Sequence, residues 1–324
     1  MPIIETSSYR ANFFLLNRHA NTIAHALLRR VAVDYSRKRL STPDDDFIDL
    51  DYSFANKQQG KQVVLVIHGL EGSSDSSYIK GMVKESNANG FDAVAMNFRG
   101  CSGDQNNTFG SYHSGSTEDV AQVVKHLNNV DKYEDIFLVS YSLGANVMLK
   151  YMGEEGDQSL VKASVAVSVP SNLEDCAVKL EKWYNKAYLI TFLRSLRKKV
   201  KAKCKAHSEH KINLEAVLKA TNFTDFDNEF TAPAHGFESA KDYWTKSSCA
   251  QFLSQVVRPT LIINALDDPF LTPSCYPFDE ANKSDFLFLE TPSKGGHVGF
   301  VSRIFATDAF WHERRTIRFF KNNY

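Results

Sequence analysis

The sequence predicts an α/β fold, a mostly parallel central sheet flanked by helices, with a helical cap inserted late in the chain. Three observations predict it. Short apolar runs rich in Val, Ile and Phe recur along the 324 residues, helix-like segments separate them, and one stretch of about 80 residues carries helical spacing only. The runs are Val63 to Ile67, Ala93 to Phe98, Ile136 to Ser140, Ala163 to Val169, Thr260 to Ala265 and Phe286 to Leu289. Strands covered on both faces read this way, because neither face meets water. Tyr78 to Asn87, Thr117 to Asn129 and Ala145 to Gly153 are the predicted helices between them. Alternation of this kind places parallel strands between two helical layers.

Ahead of the runs, Phe47-Ile48-Asp49-Leu50-Asp51-Tyr52 alternates with period two, which predicts an edge strand with one wet face. Residues 1–40 are expected to be a helical segment. After Val169-Pro170 the strand signal stops, and Leu180, Trp183, Tyr184, Ala187, Tyr188 and Phe192 recur at helical spacing. The expected organisation is one domain over 1–324: a core of 40–170 and 251–324, with the cap at 171–250.

Composition narrows the function. Lys plus Arg and Asp plus Glu both number 38, so the formal net charge is zero and no long-range field gathers polyanions. Nucleic acid is therefore not an expected partner, and the basic run Arg194 to Lys205 reads as a solvated helix face. The five cysteines are odd in number and form no C-x-x-C pair, which fits a reducing compartment. No stretch approaches about 18 consecutive apolar residues, and Met1 to Arg18 lacks the features of a signal peptide. A soluble, cytoplasmic protein without a stable membrane anchor is expected.

The chemistry centres on Ser140-Tyr141-Ser142-Leu143-Gly144, which lies between a predicted strand and a predicted helix. A serine nucleophile needs a sharp strand-to-helix turn to hold its hydroxyl above the sheet, and small residues on either side let that turn pass neighbouring backbone. Gly144 fits; Ser140 stands where glycine is usual. A base and an acid must follow in the order Ser, Asp or Glu, His. Beyond the last strands only His297 and His312 qualify. His312, in Trp311-His312-Glu313-Arg314-Arg315, reads as a solvent-facing residue of a terminal helix. His297 sits between Gly295-Gly296 and Gly299, directly after a strand, where catalytic groups collect in open α/β sheets. Asp267 and Asp268 both follow the strand Thr260 to Asn264, and either could reach the imidazole. Asp268 is the expected acid because it takes the place of the acid in the G-x-x-D-x-x-[VLI] loop found after the corresponding strand, leaving Asp267 to form the turn or support it. The backbone N–H groups of Leu143, after the nucleophile, and Leu70, after Gly69 in His68-Gly69-Leu70-Glu71-Gly72, are the expected oxyanion donors. No G-K-[ST] follows that loop, which excludes a phosphate loop, and His68 reads as a structural support.

Six motifs in this order resemble the YheT-type branch of the α/β-hydrolase superfamily, which groups bacterial esterases with eukaryotic abhydrolase-domain lipases. They are His68 to Gly72, Asn97 to Gly103, Tyr112 to Asp119, Tyr141 to Gly144, Asp267 to Phe270 and Gly295 to Phe300, within a resemblance from about His19 to Phe320. The resemblance implies the α/β-hydrolase fold, a triad of Ser142, Asp268 and His297, and carboxylic-ester or lipid substrates. Ser140 departs from the pattern, as does the lack of the N-terminal anchor of the eukaryotic relatives.

The reading is a serine hydrolase of uncharged short- to medium-chain acyl esters, working through an acyl-enzyme on Ser142 without metal or organic cofactor. Its rivals are an acyltransferase on the same triad and a non-catalytic ligand-binding protein. Ser116 and Asp119 read as a helix cap, leaving His113 to shape the pocket wall. Cys101 reads as a buried small residue, and Cys204, His207 and His210 as a spacing without a fourth metal ligand. Phe223 to Asp227 and His235 to Phe237 line an acyl pocket or join the cap to the core.

Overall fold

The computed structural model describes residues 3–56, 59–303 and 309–321. Among these, nine strands form one sheet: β1 (Ile3–Ile4), β2 (Ser36–Ser41), β3 (Phe47–Ser53), β4 (Gln62–Ile67), β5 (Asp92–Asn97), β6 (Asp135–Tyr141), β7 (Val161–Val167), β8 (Thr260–Ile263) and β9 (Leu287–Glu290). Their order is β1-β9-β8-β7-β6-β4-β5-β3-β2, parallel throughout except where β3 and β2 join antiparallel. Six of the nine are the predicted apolar runs, with no end shifted by more than two residues.

Alternate side chains of each strand feed two cores. Val63, Leu65 and Ile67 of β4 pack with α3 (Thr117–Asn129) and α4 (Leu143–Glu155), while Val64 and Val66 pack with α2 (Ser77–Ala88) and α12 (Trp311–Lys321). Each fully buried Val or Ile is worth roughly 1.5–3 kcal/mol, so covering both faces is what makes the runs continuous in sequence.

Three expectations fail here. The strand Phe47–Ser53 is not an edge: it lies between β2 and β5 with all seven residues buried. Its aspartates face guanidinium groups instead of water, Asp51 with Arg37 at 2.7 Å and Asp49 with Arg39 at 2.8 Å, both arginines coming from β2. Residues 1–40 are not simply helical, since β1 and β2 flank α1 (Arg18–Leu28) and close opposite edges of the sheet. His312 is fully buried on α12 with Nδ1 3.4 Å from the Tyr141 hydroxyl, and burial drives its pKa down to about 3. The polar residues around it turn inward because Glu313 forms a buried ion pair with Arg29, just beyond α1.

Between β7 and β8 the chain is helical: α5 (Leu173–Leu180), α6 (Lys186–Ala206), α7 (Leu214–Lys219), α8 (Phe223–Phe226), α9 (Ala232–His235) and α10 (Ala240–Ser247), with a π-helical turn at Asp227–Thr231. These helices share a cluster built on Leu189, Leu193, Phe226, Phe230, Tyr243 and Trp244, and Leu70 of the core packs against it. The remaining helix, α11 (Phe278–Lys283), connects β8 to β9.

Candidate active site

β6 ends at Tyr141, α4 begins at Leu143, and Ser142 turns between them at φ 52°, ψ −123°. That is a strained conformation for a residue with a Cβ, and the Ser142 N–H bond to the Val167 carbonyl at 2.9 Å helps to hold it. Gly144 is required by its neighbour: a Cβ there would drive into the His68 carbonyl oxygen. Ser140 is fully buried, and its hydroxyl donates to Met148 Sδ at 3.1 Å on the first turns of α4. The departure from glycine is thus absorbed by a methionine one helical layer away.

His297 joins the three predicted groups. Its Nε2 lies 2.8 Å from Ser142 Oγ, and its Nδ1 lies 2.8 Å from Asp268 Oδ2. Asp268 is held in turn by the Phe270 N–H, which donates to Oδ1 at 2.8 Å. Asp267 does not touch the imidazole; its Oδ1 accepts the Gly296 N–H at 3.0 Å, and burial raises its pKa. His68 is fully buried and its pKa falls to about 4 for that reason. In the neutral form its Nδ1–H donates to the Gly69 carbonyl at 2.7 Å and its Nε2 accepts the Phe98 N–H at 3.1 Å, so it braces the loop.

That loop places Leu70 opposite the elbow. Gly69 N–H donates to the Tyr78 hydroxyl at 3.0 Å and Glu71 N–H to the Tyr112 hydroxyl at 2.8 Å. Between them, the Leu70 N–H has no protein acceptor among the described residues, and neither has that of Leu143. Both residues line the cavity with Ser142. Glu71 is itself tied to the cap: Lys199 of α6 reaches its carboxylate at 2.8 Å, and the Ser195 hydroxyl donates to the same group.

Further supports escaped the sequence. The His297 N–H donates to Thr22 Oγ1 at 2.9 Å and the Val298 N–H to Ser168 Oγ at 2.9 Å. The glycines around His297 are the available signal: Gly296 sits at φ 59°, and a Cβ there would lie 2.5 Å from the Arg18 carbonyl oxygen of α1. Ser116 is the N-cap residue of α3 but makes no side-chain cap bond; its hydroxyl accepts the His113 N–H at 3.0 Å, while Asp119 pairs with Arg99 at 2.7 Å.

The cavity above Ser142 measures about 130 Å³ and is walled mainly by Leu173, Leu180, Phe192, Phe223, Phe226 and Phe270, with His113 at its side. One carboxyl, Asp227, is among its walls. Phe237 instead packs on His113 and Tyr243, and His235 lies 4.5 Å from His113, ring to ring. Phe109 stacks on His210 and meets His207 edge-on, Cys204 is buried in the cap, and no group of three metal-ligating side chains occurs among the described residues. Cys101 is partly exposed, and burial of its thiol pushes the pKa up to about 11.

Comparison with known proteins agrees with this architecture. Residues 62–303 match the family described as the alpha/beta hydrolase fold. The chain is 36% identical to YheT of Escherichia coli (strain K12) over 302 residues, covering 92% of this chain and 88% of that protein. It is 28% identical to Phospholipase ABHD3 of Mus musculus, covering 97% and 78%. The solved esterase PF2001 of Pyrococcus furiosus superposes with a TM-score of 0.60 at 14% identity, covering 90% of this chain and 93% of that one, and so shares the fold. By the family match and by its identity to YheT, the chain belongs to the α/β-hydrolase fold family, in the YheT-type branch.

Proposed function

We propose that the protein is a serine hydrolase of carboxylic esters. Ser142 Oγ attacks the ester carbonyl while His297 Nε2 takes its proton, and Asp268 keeps Nδ1 protonated and balances the imidazolium. The Leu70 and Leu143 N–H groups receive the oxyanion, His297 returns the proton to the departing alcohol, and water then attacks the acyl-enzyme with His297 again as base. The observation that carries this reading is the continuous relay of two 2.8 Å contacts from Asp268 through His297 to Ser142, ending at an apolar cavity.

The cavity favours uncharged acyl chains of short to medium length. About 130 Å³ is close to the roughly 150 Å³ of an engineered protein cavity that holds one benzene, enough for a few methylenes. The name of the mouse relative adds phospholipid esters to the classes worth assaying. In this reading the cap, 171–250, shapes the acyl site while 40–170 and 251–324 carry the chemistry as one unit.

Labelling with a fluorophosphonate probe tests the proposal. Wild type is expected to label and Ser142→Ala to remain unlabelled; a folded wild type that does not label overturns the reading. Hydrolysis of p-nitrophenyl butyrate by His297→Ala is expected to fall by about a thousandfold or more, and unchanged turnover would mean that another group is the base.

A further inference from the structure

Charge is unevenly spread on this neutral chain. Between Glu5 and Asp34, and again between Glu181 and Glu209, the sequence has no acidic residue. The first span holds α1, and the second holds α6. They meet in space, with the His19 ring stacked 5.8 Å from that of Tyr188 and the Arg18 guanidinium 5.0 Å from the ring of Tyr184. Along α6, Lys186, Ile190, Arg194, Lys198, Lys201 and Lys205 are exposed, recurring every three or four residues on one stripe. Ile23, Ala26 and Leu27 on α1 and Arg30 just beyond it are exposed at the same spacing.

The apolar members of this surface project into water. Phe13 and Phe14 are each 78% exposed, Leu27 74% and Trp183 85%. Trp183 is joined to the contact between α1 and α6 through Tyr184, whose ring lies 5.6 Å away. The contact between α1 and α6 lies two ring contacts from His297: Tyr188 packs on Phe270 at 4.8 Å, and Phe270 on His297 at 4.4 Å. Large apolar side chains standing exposed on segments rich in cations and free of acidic residues call for a partner that is apolar just beneath an anionic surface.

We propose that the Phe13–Phe14 turn, α1 and the solvent face of α6 form a docking surface for an anionic phospholipid bilayer. Phe13, Phe14, Leu27 and Trp183 enter the boundary between headgroups and acyl chains, while the exposed lysines and arginines of α6 meet lipid phosphates. A second copy of the chain is the poorer occupant, because a twofold contact through this face sets cations against cations. Docking is peripheral, since among the described residues no helix is long and apolar enough to cross a membrane. The solvated face expected from overall neutrality becomes a binding face because its cations lie on one side. The surface is separate from the chemistry at Ser142, so binding and turnover are read independently.

The test is sedimentation of the full chain with vesicles of phosphatidylcholine alone and of phosphatidylcholine containing about one third phosphatidylglycerol. Partition onto the anionic vesicles is expected to be at least about tenfold stronger and to weaken as salt is raised. Trp244 and Trp311 are buried, so a blue shift of tryptophan fluorescence on binding reports Trp183. Two triple variants, Phe13→Ser/Phe14→Ser/Trp183→Ser and Lys186→Glu/Arg194→Glu/Lys198→Glu, are each expected to abolish partition while hydrolysing soluble p-nitrophenyl butyrate like wild type. Absence of partition, or equal partition by wild type and both variants, overturns the proposal. So does light scattering that shows wild type as a dimer and the variants as monomers, which would assign the surface to a second copy. Vesicle binding by a wild type that hydrolyses no ester leaves the surface standing and removes the hydrolase reading.

Discussion

Asp227 is a carboxyl walled into the acyl cavity with no part in the proposed chemistry, and its ionisation should be visible in the stability of the whole protein. Its two oxygens accept hydrogen bonds from the Thr231 hydroxyl at 2.6 Å and the Trp244 indole N–H at 2.9 Å. Burial nevertheless dominates and raises its pKa from 3.8 to about 7. A carboxyl whose folded pKa lies above its unfolded one costs nothing while both states are protonated. The cost grows as pH rises past the unfolded value and is complete above the folded one. A rise of about three units, at about 1.4 kcal/mol each, sets the full cost near 4 kcal/mol at about pH 8.5 and about 1.5 kcal/mol at about pH 5. Asp227→Asn removes the charge and keeps the shape, with its amide oxygen on Trp244 and its NH2 group on Thr231. Urea unfolding followed by circular dichroism should therefore show the variant gaining about 2–3 kcal/mol more over wild type at about pH 8.5 than at about pH 5. A gap that is equal at the two pH values, or larger at the lower one, would refute the argument from burial.

Other substitutions probe the frame around the triad. Gly144→Ala forces a methyl group into the His68 carbonyl and should cost about 1–3 kcal/mol. It should also slow fluorophosphonate labelling, whereas labelling at the wild-type rate would show that the elbow does not depend on that contact. Lys199→Met frees the Glu71 carboxylate beside the Leu70 amide and should lower kcat for p-nitrophenyl butyrate about tenfold with KM nearly unchanged. Lys199→Arg should restore kcat; an unaltered kcat in Lys199→Met would mean that the cap does not steady the oxyanion loop. Thr22→Val leaves the His297 N–H without an acceptor and should cost about 1–3 kcal/mol in thermal or urea unfolding, with Thr22→Ser close to wild type.

What was legible in the sequence follows from how far each residue must reach for its partner. Strands β4 to β9 announce themselves because burial on both faces demands apolar residues at nearly every position, a local requirement. β3 reads as an edge because its alternation is real while its wet face is not: Asp49 and Asp51 are met by Arg39 and Arg37 of β2. β2 itself, Ser-Arg-Lys-Arg-Leu-Ser, carries almost no apolar signal, since an exposed edge strand buries little. His312 reads as exposed for the same reason, because the polar run around it is neutralised by Arg29, 284 positions away from Glu313. Ser142, Asp268 and His297 stood out because each follows a strand in the order the chemistry needs. Their supports did not: Thr22 lies 275 positions from His297, and Ser168 lies 130 from Val298. Gly296 marks the limit of such reading. A glycine beside a candidate base says that backbone comes close, and only the fold says that the backbone is the carbonyl of Arg18 on α1. The N-terminal helix is thereby part of the site's frame, so a substitution on its inner face should disturb His297 before it disturbs the sheet.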